Sequence, residues 1–85
     1  MYEIVLHNRA VKFYNQLDDE NSARINRAIE ALLENPASGN NIKMLRGELN
    51  GKFRLRAGKY RIVYRIENDQ NIVIIEDIGV RGRIY

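Results

Sequence analysis

An alternation of basic and apolar residues over positions 52–65 constrains the fold of this chain more than any other stretch of its sequence. The run reads KFRLRAGKYRIVYR. Because side chains two positions apart share one face of a strand, the basic residues would line one surface while the apolar residues between them lie on a core. The basic set comprises Lys52, Arg54, Arg56, Lys59, Arg61 and Arg65.

Ala57-Gly58, in the middle of this run, predicts a tight turn, since glycine adopts a positive φ without steric cost. Two strands paired through that turn would gather six basic side chains on one surface. Like charges opposed across a strand pair destabilise it, and a bound polyanion would relieve that repulsion. The alternative interpretation is an ordinary solvated strand face, on which lysine and arginine are common.

The composition narrows the chemistry that is open to the chain. Its 85 residues predict a single domain over residues 1–85, large enough for one small core. The absence of cysteine excludes disulfides, zinc thiolate sites and a cysteine nucleophile, and a single histidine argues against a catalytic metal site. We therefore expect no metal and no cofactor. No apolar run approaches the roughly 18 residues needed to span a bilayer, which predicts a soluble cytoplasmic protein.

Charge is segregated along the sequence. Although the net charge is only +3, residues 43–65 contain eight basic residues and one acidic residue. Residues 66–78 carry four acidic residues and no basic one. A concentrated basic field attracts anions far more strongly than the net charge suggests, so the pattern indicates an anionic ligand such as nucleic acid.

Periodicity elsewhere predicts one strand and two helices before this run. Residues 2–7 alternate between apolar and polar, as a half-buried strand does. Asn8 is the expected cap of the first helix, residues 18–21 interrupt the helical pattern and restart it, and Pro36 ends the second helix. The apolar stripe of the second helix consists of Ile25, Ala28, Ile29, Leu32 and Leu33.

The order β-α-α-β-β-β predicts an α+β fold: an antiparallel β-sheet meander with the two N-terminal helices packed on one face. The three later strands come from residues 52–56, 59–65 and 72–78. Because the helices cover one face, the opposite face is left for a partner. That opposite face carries Lys52, Arg54, Arg56 and Arg61.

Three short motifs resemble a known family. They are Leu45-Arg46-Gly47, the run GKYRIVY at positions 58–64, and Ile78-Gly79-Val80-Arg81 followed by Tyr85. Together with the order of the elements, they are similar to the RelE/ParE superfamily of toxins from prokaryotic toxin–antitoxin pairs. The resemblance covers nearly the whole chain. It implies a RelE-like fold and a toxin that inhibits translation as an mRNA interferase, a ribosome-dependent endoribonuclease that cleaves mRNA in the ribosomal A site.

The resemblance also implies site residues. The catalytic positions of the family correspond here to Lys52, Arg54, Arg61, Arg81 and Tyr85. Better-known members of the family carry lysine at the position of Arg54. The other basic residues of these segments are expected to bind RNA, and they are Arg46, Arg56, Lys59, Arg65 and Arg83.

The implied chemistry depends on what RNA itself supplies. Its 2′-hydroxyl is a built-in nucleophile, so the protein need only orient it, move protons and neutralise the phosphorane, leaving a 2′,3′-cyclic phosphate and a 5′-hydroxyl. Arg61 and Arg81 are suited to grip phosphate oxygens through paired N–H groups. Lys52, in a crowd of positive charge, is a candidate base. Tyr85 is expected to orient the hydroxyl, act as base or stack on a nucleobase, and Arg54 to act through its charge.

Two other functions fit the same sequence. A ParE-like toxin would poison DNA gyrase without nuclease activity. A plain binding module would present its basic face to RNA or to an acidic peptide without catalysis. The enzymatic interpretation requires one geometric condition, namely that the strands bring Arg81 next to Arg61.

A toxin of this type implies partners. A cognate RelB-like antitoxin, partly disordered alone, is expected to wrap the toxin and cover its basic face. The ribosome and mRNA would be the other partners, and no membrane is expected to take part. The toxin–antitoxin complex is expected to form a higher-order assembly on operator DNA through the antitoxin.

Overall fold

Seven regular elements and two single turns of 3₁₀-helix build the fold in the computed structural model, which describes residues 1–49 and 51–80. The strands are β1 (Glu3–Leu6), β2 (Ile42–Met44), β3 (Phe53–Ala57), β4 (Tyr60–Glu67) and β5 (Ile72–Val80). The helices are α1 (Asn8–Tyr14) and α2 (Asp19–Glu30), and the 3₁₀ turns are Ala31–Leu33 and Gly47–Leu49.

The strands form one five-stranded sheet in the order β1-β5-β4-β3-β2. Strands β2 to β5 make an antiparallel meander, as predicted, and both helices pack on one face of the sheet. The predicted α+β class is therefore confirmed.

Two features of the sheet differ from the prediction. The sheet has a fifth strand, β2, whose three residues are too short for their periodicity to be recognised and lie at an exposed edge. In addition, β1 runs parallel to β5, with Ile4 opposite Val73 and Leu6 opposite Ile75. Strand periodicity specifies which face a side chain takes and not which strand lies beside it, so the sequence did not show this pairing.

Local capping explains where the helices begin. The carboxylate of Asp18 accepts the backbone N–H of Asn21 at 2.9 Å, so α2 starts at the predicted interruption. The prediction that Asn8 caps α1 is wrong by one residue. His7 is the cap, and its Nδ1 accepts the backbone N–H of Arg9 at 3.4 Å.

The core lies between the helices and the sheet, and Tyr64 is at its centre with no solvent exposure. Its hydroxyl donates to the carbonyl oxygen of Pro36 at 2.5 Å, which ties the loop after α2 to β4. Phe53 stacks on the Tyr64 ring with the ring centroids 5.5 Å apart. Burial raises the pKa of Tyr64, so this phenol remains a hydrogen-bond donor at any working pH.

The turn of the β3–β4 hairpin is one residue later than predicted. Ala57 and Tyr60 are paired, so the two-residue turn is Gly58-Lys59, with Gly58 at φ 62°. A positive φ at the first of two turn residues is the pattern of a type II′ hairpin turn. As a result Lys59 does not belong to the strand face, and its Nζ lies 5.4 Å from the centroid of the Tyr60 ring.

We predict that Tyr64→Phe lowers the free energy of unfolding by about 1–3 kcal/mol, because the buried carbonyl of Pro36 loses its donor. Urea unfolding would measure the change. Tyr2→Phe is the matched control: it removes a hydroxyl that donates to Asn68 at 3.3 Å in an exposed setting where water can replace it. Equal effects of the two substitutions would show that the buried bond does not stabilise the fold.

Candidate functional site

The face of the sheet away from the helices, called the open face below, holds most of the basic residues that the sequence singled out. Its side chains alternate with the buried core positions of β3 and β4. The turn shift removes Lys59 from this set. The basic residues that remain on the open face are Lys52, Arg54, Arg56, Arg61 and Arg65.

Three of them form an arginine cluster made of Arg54, Arg56 and Arg61. Arg56 and Arg61 are direct partners across the β3–β4 pair, and Arg54 lies opposite Val63 on the same face. No carboxylate within residues 1–49 and 51–80 forms an ion pair with any of the three. The cluster is therefore a concentration of positive charge that these residues leave uncompensated.

Arg61 is the most unusual member of the arginine cluster, because it is only 5% exposed. On β5 it lies opposite Gly79, which has no side chain to pair with it. Its Nη1 donates to the carbonyl oxygen of Tyr60 at a long 3.4 Å. Nε of Arg54 is likewise buried and has no hydrogen-bond acceptor among the described residues.

Buried cationic donors of this kind are costly unless an anion pairs with them. Guanidinium groups bind phosphate and carboxylate oxygens through two parallel N–H bonds, which are roughly twice as strong as neutral hydrogen bonds. Because Arg56 and Arg61 are direct partners across the hairpin, their side chains leave the sheet side by side on the same face. The arginine cluster is thus suited to bind an anion such as a phosphodiester.

The other two cations are already paired, in what we call the Glu76 network. Oε1 of Glu76 lies 2.7 Å from Nζ of Lys52, and Oε2 accepts Nε–H of Arg65 at 3.0 Å. Arg65 also donates through Nη1 to Glu67. Each oxygen of the Glu76 carboxylate therefore holds one cation.

The pKa of Glu76 reflects these contacts. Partial burial acts to raise it, but the hydrogen bonds and charges of Lys52 and Arg65 outweigh burial and lower the pKa of this carboxyl overall. Glu76 is consequently ionised at neutral pH. The predicted role of Lys52 as a base rested on a crowd of positive charge around it, whereas the structure also places a carboxylate oxygen of Glu76 2.7 Å from its Nζ.

An irregularity in β5 places Glu76 in the network. Val63 pairs with Asp77 and Tyr64 with Ile75, so Glu76 is an extra residue without a partner on β4. Such a bulge re-aims side chains and allows the strand to present Glu76 towards the open face while Ile75 and Ile78 remain in the core. The sequence signal was visible as two carboxylates interrupting an apolar strand, but sequence reasoning did not identify their role.

A cavity of about 190 Å³ adjoins the Glu76 network and is lined by His7, Arg9, Lys52 and Glu76. Arg9, at the start of α1, lies 3.6 Å from a carboxylate oxygen of Asp77. Arg9 was not among the predicted site residues, because nothing in the pattern of α1 shows that its first turn reaches β5. The part of the chain that the structure describes has no group of three His, Cys, Asp or Glu side chains placed to hold a metal ion.

The remaining predicted site residues lie elsewhere. Arg46 is exposed at the start of the loop that returns to Lys52, where the backbone N–H of Leu45 donates to the carbonyl of Lys52 at 2.9 Å. The predicted residues Arg81, Arg83 and Tyr85 lie outside the described residues, so the expected approach of Arg81 to Arg61 stays a prediction. The last described residue, Val80, lies opposite Tyr60, next to Arg61.

Comparison with known proteins connects this site to a family. The family model for the ParE toxin of the type II toxin–antitoxin system parDE matches residues 4–85. The protein RelE1 of Methanocaldococcus jannaschii is 31% identical over 86 residues, which cover 99% of this chain and 94% of the relative.

Solved structures agree with this assignment. The RelBE2 toxin–antitoxin complex of Mycobacterium tuberculosis contains a chain with 30% identity and a TM-score of 0.82, over 94% of this chain and 98% of that one. The intact RelBE toxin–antitoxin complex of E. coli contains one with 26% identity and a TM-score of 0.79, over 98% of this chain and 100% of that one. Among the described residues no helix has the length and apolar character needed to cross a membrane. Because the family model spans nearly the whole sequence and the fold matches throughout, this chain belongs to the RelE/ParE superfamily and is a toxin of a toxin–antitoxin system.

Proposed function

We propose that this toxin is a ribosome-dependent endoribonuclease that cleaves mRNA in the ribosomal A site and so inhibits translation in the cytoplasm. The observation that carries the proposal is the arginine cluster, above all the buried guanidinium of Arg61 without a carboxylate partner among residues 1–49 and 51–80. A phosphodiester supplies the anion that this group lacks. RelE-named relatives and RelBE structures on the same fold support the choice of this activity within the superfamily.

The reaction we propose needs no group from outside the RNA and the protein. The 2′-hydroxyl gives its proton to the ionised phenol of Tyr85 and its oxygen attacks the adjacent phosphorus, and the bond from phosphorus to the 5′-oxygen breaks as that oxygen takes up a proton from the Lys52 ammonium. Negative charge builds on the non-bridging oxygens, where Arg61 and Arg81 would bind them. Removing one preorganised donor of this type typically lowers a rate by about 10²–10³.

The Glu76 network changes the role that we assign to Lys52. Its ammonium already donates to a carboxylate, so we propose that Lys52 acts as a cation and proton donor near the phosphate instead of as the base. Arg54 acts through its charge, because a guanidinium does not release its proton at working pH. Tyr85 remains the proposed group for orienting the 2′-hydroxyl.

The surrounding basic residues would track the RNA backbone on either side of the scissile phosphate. We assign this role to Arg46, Arg56, Lys59, Arg65 and Arg83. Lys59 projects from the hairpin turn, and Arg46 from the loop before Lys52, so the two lie at different ends of β3. A message crossing the open face between them would pass over the arginine cluster.

A second function is favoured by one observation, the match of the chain to the ParE toxin family model over residues 4–85. A ParE-like toxin would bind DNA gyrase and poison it without cutting RNA. The shared fold does not decide between the two activities, because one fold supports different chemistries through its surface residues. We favour RNA cleavage because the arginine cluster, in which Arg61 is buried, Arg54 half-buried and Arg56 exposed, is matched to phosphate.

We also propose a RelB-like antitoxin as the partner that neutralises the toxin, because the M. tuberculosis and E. coli structures similar to this chain are toxin–antitoxin complexes. An acidic, partly disordered segment that folds over the open face would pair with the arginine cluster and exclude RNA. The complex would then assemble on operator DNA through the antitoxin.

We predict that Arg61→Met reduces cleavage of mRNA on programmed ribosomes by about 10²–10³, since it keeps the aliphatic stem and removes the phosphate-binding group. Mapping of message 3′ ends would measure the cuts, and circular dichroism would confirm the fold. Arg27→Met is the control, because Arg27 is exposed on α2, on the other side of the sheet. Wild-type cutting by the Arg61 variant would refute the site assignment.

We predict that the wild-type toxin cuts messages at the A site and leaves gyrase activity intact. Supercoiling assays with purified gyrase, run at the toxin concentrations that stop translation, would measure the second half of this expectation. Stalled gyrase with cleaved DNA and intact messages would instead establish the ParE-like function. Binding of RNA with neither effect would indicate a non-catalytic module.

We predict that coexpression with the product of the adjacent gene yields a tight complex that no longer binds RNA. Affinity purification followed by fluorescence anisotropy with labelled single-stranded RNA would test both halves. The expected loss of RNA binding follows from the antitoxin covering the arginine cluster. A complex that binds RNA as tightly as the free toxin would show that the antitoxin docks elsewhere.

A further inference from the structure

The five cations of the open face are in two different states. The arginine cluster has no carboxylate partner among the described residues, whereas Lys52 and Arg65 are both bound to Glu76. Fold and hairpin register place the two sets on the same surface, so an RNA crossing the face would meet both. In the described part of the chain, only the arginine cluster is without a carboxylate and so open to a phosphate.

We propose that Glu76 occupies an anion site formed by Lys52 and Arg65, withholds these two cations from free RNA, and thereby acts as a specificity-determining residue of the toxin. The inference deepens the proposed function and rests on RNA being the ligand. The Glu76 side chain is then the reason why the toxin requires RNA that a ribosome holds in place.

The Glu76 carboxylate contacts Lys52 and Arg65 in the way that a phosphate group would. Two oxygens on one carbon, each accepting one charge-assisted bond at 2.7 and 3.0 Å, present to Lys52 and Arg65 what two oxygens of a phosphate would present. The Lys52 and Glu76 side chains are only 34% and 24% exposed, so salt screens this pair less than a fully exposed one. The lowered pKa of Glu76 keeps the carboxylate charged at any neutral pH.

Covalent attachment gives Glu76 an advantage over a dissolved competitor. A group held on a folded strand has an effective concentration of millimolar or more at its own site. An RNA at micromolar concentration loses that competition for Lys52 and Arg65. A message held against the toxin by a ribosome is presented at a comparable effective concentration, and it can displace the carboxylate.

The adjacent cavity can accommodate the Glu76 carboxylate when an RNA phosphate displaces it from Lys52 and Arg65. Glu76 lines its wall together with Arg9, whose guanidinium is largely exposed and lies 3.6 Å from a carboxylate oxygen of Asp77. At about 190 Å³ the cavity has room for a carboxylate and several waters, given about 30 Å³ for each water. Glu76 can therefore exchange one cationic partner for another instead of becoming a buried, unpaired charge.

The test is the salt dependence of RNA binding, measured by fluorescence anisotropy with a labelled single-stranded RNA that is not bound to ribosomes. Glu76→Gln frees Lys52 to contact one more phosphate, whereas Arg65 keeps its second carboxylate partner, Glu67. The slope of log affinity against log salt should steepen by about 0.7, since each phosphate contact on a single strand contributes about 0.7. Asp69→Asn is the matched control, because it removes the same charge from an exposed turn and should leave the slope as it is in wild type.

A second measurement uses the wild-type protein and so does not depend on the variant folding. In a ¹⁵N–¹H spectrum, titration with the same RNA should shift the Nε–H signal of Arg56 and leave that of Arg65, which is bonded to Glu76, in place. An Arg65 signal that moves with Arg56, or equal slopes for Glu76→Gln and Asp69→Asn, would overturn the inference. Cleavage on programmed ribosomes is scored separately, and its loss would bear on the proposed function alone.

Discussion

The register of the β3–β4 hairpin is the constraint on which both the core and the site depend. Its type II′ turn at Gly58-Lys59 fixes Arg56 opposite Arg61 on one face and Phe53 opposite Tyr64 on the other. A slip of one residue would turn the Tyr64 ring to solvent and force a guanidinium into the core. One alternation of apolar and basic residues thus builds the packed face and the basic open face together.

The cations of the open face lie close together, and they differ in whether the described chain supplies an anion for them. The Glu76 network supplies its own anion, so Lys52 and Arg65 are stabilised within the folded chain. The arginine cluster lacks such an anion among the described residues and keeps the unfavourable energy of crowded, partly desolvated charge. Stability gained by a ligand that binds only the folded state would offset that energy, whether the ligand is RNA or an antitoxin.

Membership of the RelE/ParE superfamily is a statement about fold and about toxin–antitoxin biology, while the chemistry depends on a few side chains. The sheet and helices align with RelBE structures over nearly their whole length. On this shared scaffold, the bulge that inserts Glu76 between paired positions of β5 adds a negative charge to the site while the strands stay paired on both sides of it. Small features of this kind are where relatives on one scaffold acquire different substrates.

The sequence by itself determined the elements with strong periodicity: both helices, the hairpin, the basic open face and the family. It placed the α1 cap and the hairpin turn one residue away from their positions, because a one-residue boundary leaves the apolar pattern almost unchanged. Only the tertiary structure decided that β1 joins β5 in parallel, that β2 extends the edge, and that Glu76 meets Lys52. These features depend on which strands become neighbours, and periodicity fixes the face of each side chain without fixing its neighbours in space.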